Sequence, residues 1–380
     1  MQLQLPEPSA DALQASQALQ TLMADEIRLQ GGWISFARYM ELALYAPGLG
    51  YYSGGAAKLG KDGDFTTAPE ITPLFGKTLA QAAQYLLRQS APHVLEFGAG
   101  TGRLAFDVLT ELKACGVQLE SYGIVELSGE LRARQQELLR DFPEVCWHDQ
   151  LPVSFSGVVL GNEVLDAMPV HLVVKAAGAW LERGLAWQDG KLAYEDRPCT
   201  ENLIAQIPDA EELPDGYLTE VHPHARAFMA ALARMLAADG AAAILIDYGF
   251  PAAEYYLPQR DQGTLMCHYR HHAHPDPLYL PGLQDITSHV DFTAMAVAAV
   301  DAGAELLGYS SQAAFLLAAG LGDVLMRSSP DDALKFLPQT NAVQRLTSPA
   351  EMGELFKVMV IGKGLALAAA FARGDRSHRL

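Results

Sequence analysis

Apolar residues recur at helical spacing from Ser9 to Leu29 (Leu13, Leu19, Leu22, Met23, Ile27) and again from Ile34 to Leu44, after a break at Gly31-Gly32, so the chain opens on two helices. A Gly- and Tyr-rich stretch follows from Pro47 to Glu70, carrying Tyr51, Tyr52 and Phe65 and ending in a helix start at Pro69-Glu70; its length and aromatics predict a lid. Short apolar runs then alternate with amphipathic ones. Strands are expected at His93 to Phe97, Ser121 to Glu126, Val145 to His148 and Gly157 to Gly161, with helices at Arg103 to Cys115 and Ser128 to Asp141. Such alternation predicts an α/β fold, a doubly wound parallel sheet with helices on both faces.

From Val170 to Asp196 the period changes to short alternating runs broken at Ala177-Gly178 and Asp189-Gly190, an inserted antiparallel β meander. Helix Ala225 to Ala238 and strand Ala242 to Asp247 resume the α/β order; Phe292 to Ala302 reads as a helix, and Leu306 to Ser310 and Lys357 to Gly362 as closing strands. The organisation expected is an N-terminal helical and lid segment over 1–90 and a Rossmann-like core over 91–169 and 215–250. The meander occupies 170–214, a His- and Pro-rich active-site insertion 251–310, and a part closing the sheet 311–380. Half of the residues are hydrophobic and 19% are charged, which excludes disordered and coiled-coil classes. The net charge of −18 disfavours nucleic acid as a partner. Cys115, Cys146, Cys199 and Cys267 form no CxxC pair, and no apolar run is long enough to span a membrane. With no Lys or Arg between Met1 and Ile27, the expectation is a cytoplasmic, bacterial-type protein.

The sharpest local feature is Glu96-Phe97-Gly98-Ala99-Gly100-Thr101-Gly102, where a strand ends and a helix begins. Gly98, Gly100 and Gly102 permit a tight turn and close backbone approach to a ligand. A dinucleotide fingerprint would place its third glycine at Arg103, so the GxGxG spacing points to S-adenosylmethionine. Glu126, at the end of the next strand, is placed to accept both ribose hydroxyls, and Glu96 to order the methionine end. For Asp149, after the third strand, two readings stand: a partner for the adenine amino group, or an ordinary solvated turn.

The fourth strand ends in Gly161-Asn162-Glu163-Val164-Leu165-Asp166, where a doubly wound sheet faces the methyl acceptor. Glu163 and Asp166 suit a guanidinium, which they would orient for in-line displacement; the alternative is that Asn162 and Asp166 cap a following segment. Glu220 is a further catalytic candidate, or else a helix-start carboxylate. The cluster His268, His271, His272 and His274 stands in a Pro-flanked loop with no Cys or acidic pair beside it, and reads as a substrate-covering loop with no metal site.

The chain resembles the MidA family, methyltransferases that include the mitochondrial complex I assembly methyltransferase. The resemblance is carried by Ile34-Ser35-Phe36-Ala37-Arg38-Tyr39-Met40, Gly63-Asp64-Phe65-Thr66-Thr67-Ala68-Pro69-Glu70, the glycine loop, Gly161-Asn162-Glu163-Val164-Leu165-Asp166-Ala167-Met168-Pro169 and Asp285-Ile286-Thr287. The family often has Ser at Ala68, Glu at Lys77 and Pro-Gly-Arg in place of Ala99-Gly100-Thr101. The resemblance implies a class I methyltransferase fold and, from the mitochondrial members, methylation of arginine in a protein subunit of respiratory complex I. Rival classes are a methyltransferase acting on a small molecule or nucleic acid, and a non-catalytic assembly factor that binds the cofactor.

Overall fold

The computed structural model describes residues 5–54 and 67–380, which divide into two compact units. Residues 5–54, 165–227 and 250–294 form one; 67–164, 228–249 and 295–380 form the other. Half of the expected lid, residues 55–66 with Phe65 included, lies outside the described residues.

In the first unit, the Ser9 side chain caps helix Ala10–Leu29, accepting from the Ala12 amide at 3.3 Å, and Ser35 caps helix Phe36–Tyr45, accepting from Arg38 at 3.1 Å. Leu19, Met23 and Ile27 face inward at helical spacing and join Phe36, Tyr39, Met40 and Tyr51 in one core. Strands β1 (Ile34–Ser35), β6 (His171–Ala176), β7 (Ala179–Gln188), β8 (Lys191–Pro198) and β9 (Leu218–Val221) make an antiparallel sheet in the order β1-β7-β6-β9, with β8 also on β7. Both meander hairpins turn through two residues of positive φ: Ala177 and Gly178 at 51° and 77°, Asp189 and Gly190 at 49° and 80°. That geometry matches the twist of the flanking strands. The Pro- and His-rich stretch contains strands β11 (Met266–Tyr269), β12 (His272–His274) and β13 (Asp285–Thr287), a small sheet of order β12-β11-β13, and the two-residue β14 (Val290–Asp291). Tyr51 is fully buried and the Tyr52 hydroxyl donates to Asp285 at 2.9 Å, so these two tyrosines serve the core of this unit.

The second unit carries β2 (His93–Phe97), β3 (Ser121–Val125), β4 (Val145–His148), β5 (Phe155–Asn162), β10 (Leu236–Phe250), β15 (Glu305–Ser311) and β16 (Phe356–Lys363). Their order is β15-β16-β10-β5-β2-β3-β4. Strands β4, β3, β2, β5 and β10 run parallel, and β16 and β15 close the edge antiparallel. Chain direction reverses in strand order between β3 and β5 around β2, which puts the turn after β2 at the switch point where α/β sheets bind ligands. Helices Pro73–Leu87 and Arg103–Ala114 bury Leu79, Leu86, Val108 and Leu112 against Val94, Val158 and Ile244 of the sheet core.

Candidate functional site

Strand β2 ends at Phe97, and the chain turns through Gly98, Gly100 and Gly102 with φ of 60°, 54° and 85°. All three lie in the left-handed region that a side chain disfavours, so the turn itself demands glycine. The Gly98 amide donates to Val125 at 3.1 Å and Gly102 to Ala99 at 2.8 Å. Gly102 is the N-cap of helix Arg103–Ala114 and brings no side chain to it. Thr101 Oγ1 donates to Glu70 Oε1, tying the loop to the short helix Ala68–Ile71.

Glu126 follows β3, one strand over. Its Oε1 accepts from the Ser128 amide at 2.8 Å and its Oε2 from Gln135 Nε2 at 2.9 Å. Burial raises its pKa above the ordinary carboxylate value, and these two donors offset part of that rise. Glu96, inside β2, is buried and accepts from the Tyr122 hydroxyl; burial pushes its pKa up to about 7, the Tyr122 bond lowers it and the nearby Glu126 charge raises it. Asp149 directly follows β4, its side chain largely exposed and paired with Arg132 Nη1 at 2.6 Å.

Strand β5 ends at Asn162, and no helix follows, so the capping reading of Asn162 and Asp166 does not apply. Glu163 adopts φ 53°, rare for a residue with a side chain, and is held there by its amide donating to Ile246 at 2.8 Å. The next amide, Val164, donates to Asp247 Oδ2 at 3.1 Å. Asn162 Nδ2 donates to Glu163 Oε1 at 3.0 Å, leaving the buried Asn162 Oδ1 with no hydrogen-bond partner. An acceptor so placed suits the N–H of a ligand. Gln135 and Asp247 escaped the sequence reading: each is a polar side chain, fully buried, with nothing in the local pattern to mark it.

Two expected site residues fall in the first unit. Asp166 is buried, with its carbonyl accepting from Ser288 at 3.0 Å. Glu220 is not at a helix start. It lies in β9, buried, and its carboxylate accepts from the Thr264 and Leu265 amides at 2.7 and 3.1 Å and from the Tyr255 and Thr264 hydroxyls at 2.8 and 3.1 Å. Four donors on one carboxylate make it a brace for the segment after Gly263. The histidine cluster is a hairpin, not an open loop: His268 lies in β11, His272 and His274 in β12, and His271 in the turn with φ 65°. Among the described residues no three His, Cys, Asp or Glu side chains come together as metal ligands.

A mostly parallel sheet with an antiparallel closing pair, a left-handed glycine turn after β2 and a carboxylate at the next strand end define a class I methyltransferase dependent on S-adenosyl-L-methionine. A family model described as S-adenosyl-L-methionine-dependent methyltransferase matches residues 74–310, and the chain belongs to that family. It is 55% identical to a Burkholderia thailandensis protein whose crystal structure is bound to S-adenosyl-homocysteine, with a TM-score of 0.94 over 99% of this chain and 100% of that one. It is 30% identical to the protein arginine methyltransferase NDUFAF7, mitochondrial, of Danio rerio, across 86% of this chain and 82% of the relative. The NDUFAF7 homolog of Caenorhabditis elegans, also named a protein arginine methyltransferase, is 28% identical across 85% and 81%. The cofactor is S-adenosyl-L-methionine, and the cradle fits it: three turn glycines offer backbone, and Glu126 and Asn162 Oδ1 offer acceptors.

Proposed function

We propose that the chain methylates arginine in a protein substrate, with Glu163 as the residue that receives the guanidinium. The observation that carries this reading is the conformation of Glu163: a carboxylate at the end of β5, on a left-handed backbone and oriented by Asn162 Nδ2. Strain of this kind persists where surrounding bonds impose it and collects at functional sites. The relatives named protein arginine methyltransferases support the choice of acceptor.

When bound, the cofactor supplies an electrophilic methyl on a sulfonium. The Glu126 carboxylate would accept from its ribose hydroxyls, Glu96 would order the methionine end, and Asp149 would take the adenine amino group. Glu163 would accept two N–H bonds from the planar guanidinium and so fix the plane of the attacking nitrogen. Held so, one guanidinium nitrogen would be free to take the methyl, and the Glu163 carboxylate that accepts its N–H would receive the proton it gives up. Following the MidA resemblance, the substrate protein is assigned to respiratory complex I.

The test is methyl transfer from labelled cofactor into a cell lysate separated into protein, RNA and small molecules. Label is expected in protein arginine, and Glu163→Gln should lower the rate by about 10²-fold, the scale of a positioned polar group, with cofactor affinity nearly unchanged. Label in RNA or small molecules, or full activity of Glu163→Gln, overturns the reading.

A further inference from the structure

Among the described residues of helix Gly129–Leu138 the buried side chain is polar: Gln135 is fully buried. Its Nε2 donates to the Gly100 carbonyl at 2.8 Å and to Glu126 Oε2 at 2.9 Å, while the Trp147 indole Nε1 donates to its Oε1 at 3.0 Å. An indole N–H can only donate, and a carbonyl and a carboxylate can only accept, so the amide has one orientation and a flip would break all three bonds. Ser128 holds the other oxygen of Glu126, which fixes the plane of the carboxylate from both sides. The helix also packs on the glycine turn, since a Cβ added at Gly102 would lie 3.3 Å from Gln135 Cγ.

We propose that Gln135 is a positioning residue: it aims the Glu126 carboxylate at the ribose of the cofactor and locks that aim to the shape of the glycine loop, with Trp147 setting the orientation of its amide. This rests on the reading of Glu126 as the ribose partner. The protein donors on Glu126 are the Ser128 and Leu127 backbone amides and Gln135, and the two oxygens of a carboxylate offer about four acceptor sites between them, so acceptor capacity remains for the ribose. Without Gln135 the carboxylate would turn toward water, the carbonyl of Gly100 and the Trp147 N–H would lose their partner, and recognition of the two hydroxyls would fade before the rest of the cofactor contacts.

The experiment is titration calorimetry of the full chain with S-adenosylhomocysteine and with analogues lacking the 2′- or the 3′-hydroxyl, on wild type, Gln135→Leu and Trp147→Phe. The wild type should bind each deoxy analogue at least about tenfold more weakly, the value of one hydroxyl bond to a carboxylate. In Gln135→Leu the parent ligand should weaken by a similar factor and the penalty for a missing hydroxyl should shrink toward parity. Trp147→Phe keeps a ring in place and deletes the indole donor, so it should show the same pattern at smaller size. A uniform loss of affinity with the hydroxyl penalty intact in both variants would mean packing alone, and overturns the role given to Gln135. No penalty in the wild type overturns instead the assignment of Glu126 to the ribose.

Discussion

A carboxyl group enclosed by protein holds its proton to higher pH than one in water, and Glu96, raised from 4.5 to about 7, is the clearest case. Between those values the folded chain binds a proton at this site that the unfolded chain has released. Stability from Glu96 is therefore fully present below pH 4.5, falls as pH rises toward 7, and is level above it. His222 works in the opposite sense: burial lowers it to about 3, so stability is gained as pH rises from 3 to 6.5. Glu96→Gln removes the first effect alone. The variant's melting temperature, relative to wild type, should climb as pH goes from 5 to 7; a constant difference across that range would refute the assignment. Glu96 and Glu126 could be picked out as candidates because one stands just before the glycine turn and the other just after the next strand. Gln135 and Asp247 could not, because pattern rules weigh apolar spacing and a buried polar side chain on a polar helix or inside an apolar strand leaves no periodic trace.

Elements followed their sequence signals wherever the signal was local. Strand β2 and the turns Ala177-Gly178 and Asp189-Gly190 stand as expected, because β-rich runs and left-handed dipeptides determine their own geometry. Helix Pro73–Leu87 was hidden behind a start read at Pro69-Glu70: Thr72 is extended, with φ −162°, and splits one helical signal into two. Strands β11 to β13 were hidden too, since three- and four-residue strands broken by proline carry too few alternations to register. In the meander, Gly184 of β7 shows how closely the strands approach. A Cβ there would collide with the Ile34 carbonyl and the Trp33 indole, and Trp33 is pinned by its Nε1 donating to Glu195 at 2.8 Å and by Arg197 over its ring. Gly184→Ala should therefore destabilise the fold by about 2 kcal/mol or more, the cost of overpacking where the neighbour cannot yield. Thermal unfolding within a degree of wild type would show that the indole moves aside.

For the molecule as a whole, a net charge of −18 acts on a partner before any contact forms. A positively charged partner is drawn in, and added salt screens that attraction over about 8 Å at physiological strength. The KM for a basic acceptor peptide should accordingly rise several-fold, on the order of 3 to 10, between low and physiological salt, while cofactor affinity changes little. An acceptor KM indifferent to salt would favour an uncharged substrate.

The strand order also sets a timetable for synthesis. Strand β10 lies between β5 and β16, yet β16 is residues Phe356–Lys363, made only after more than a hundred further residues have left the ribosome. Through that interval the fully apolar run Ala241 to Ile246 has a partner on one side and a bare row of backbone donors and acceptors on the other. A nascent chain in that state is a template for strand addition by its neighbours on the same messenger. Chains stopped after Leu355 should therefore collect in the insoluble fraction even though every residue of the glycine loop and of Glu126 is already present, and rapid translation should lower the yield of active protein more than it lowers the yield of polypeptide.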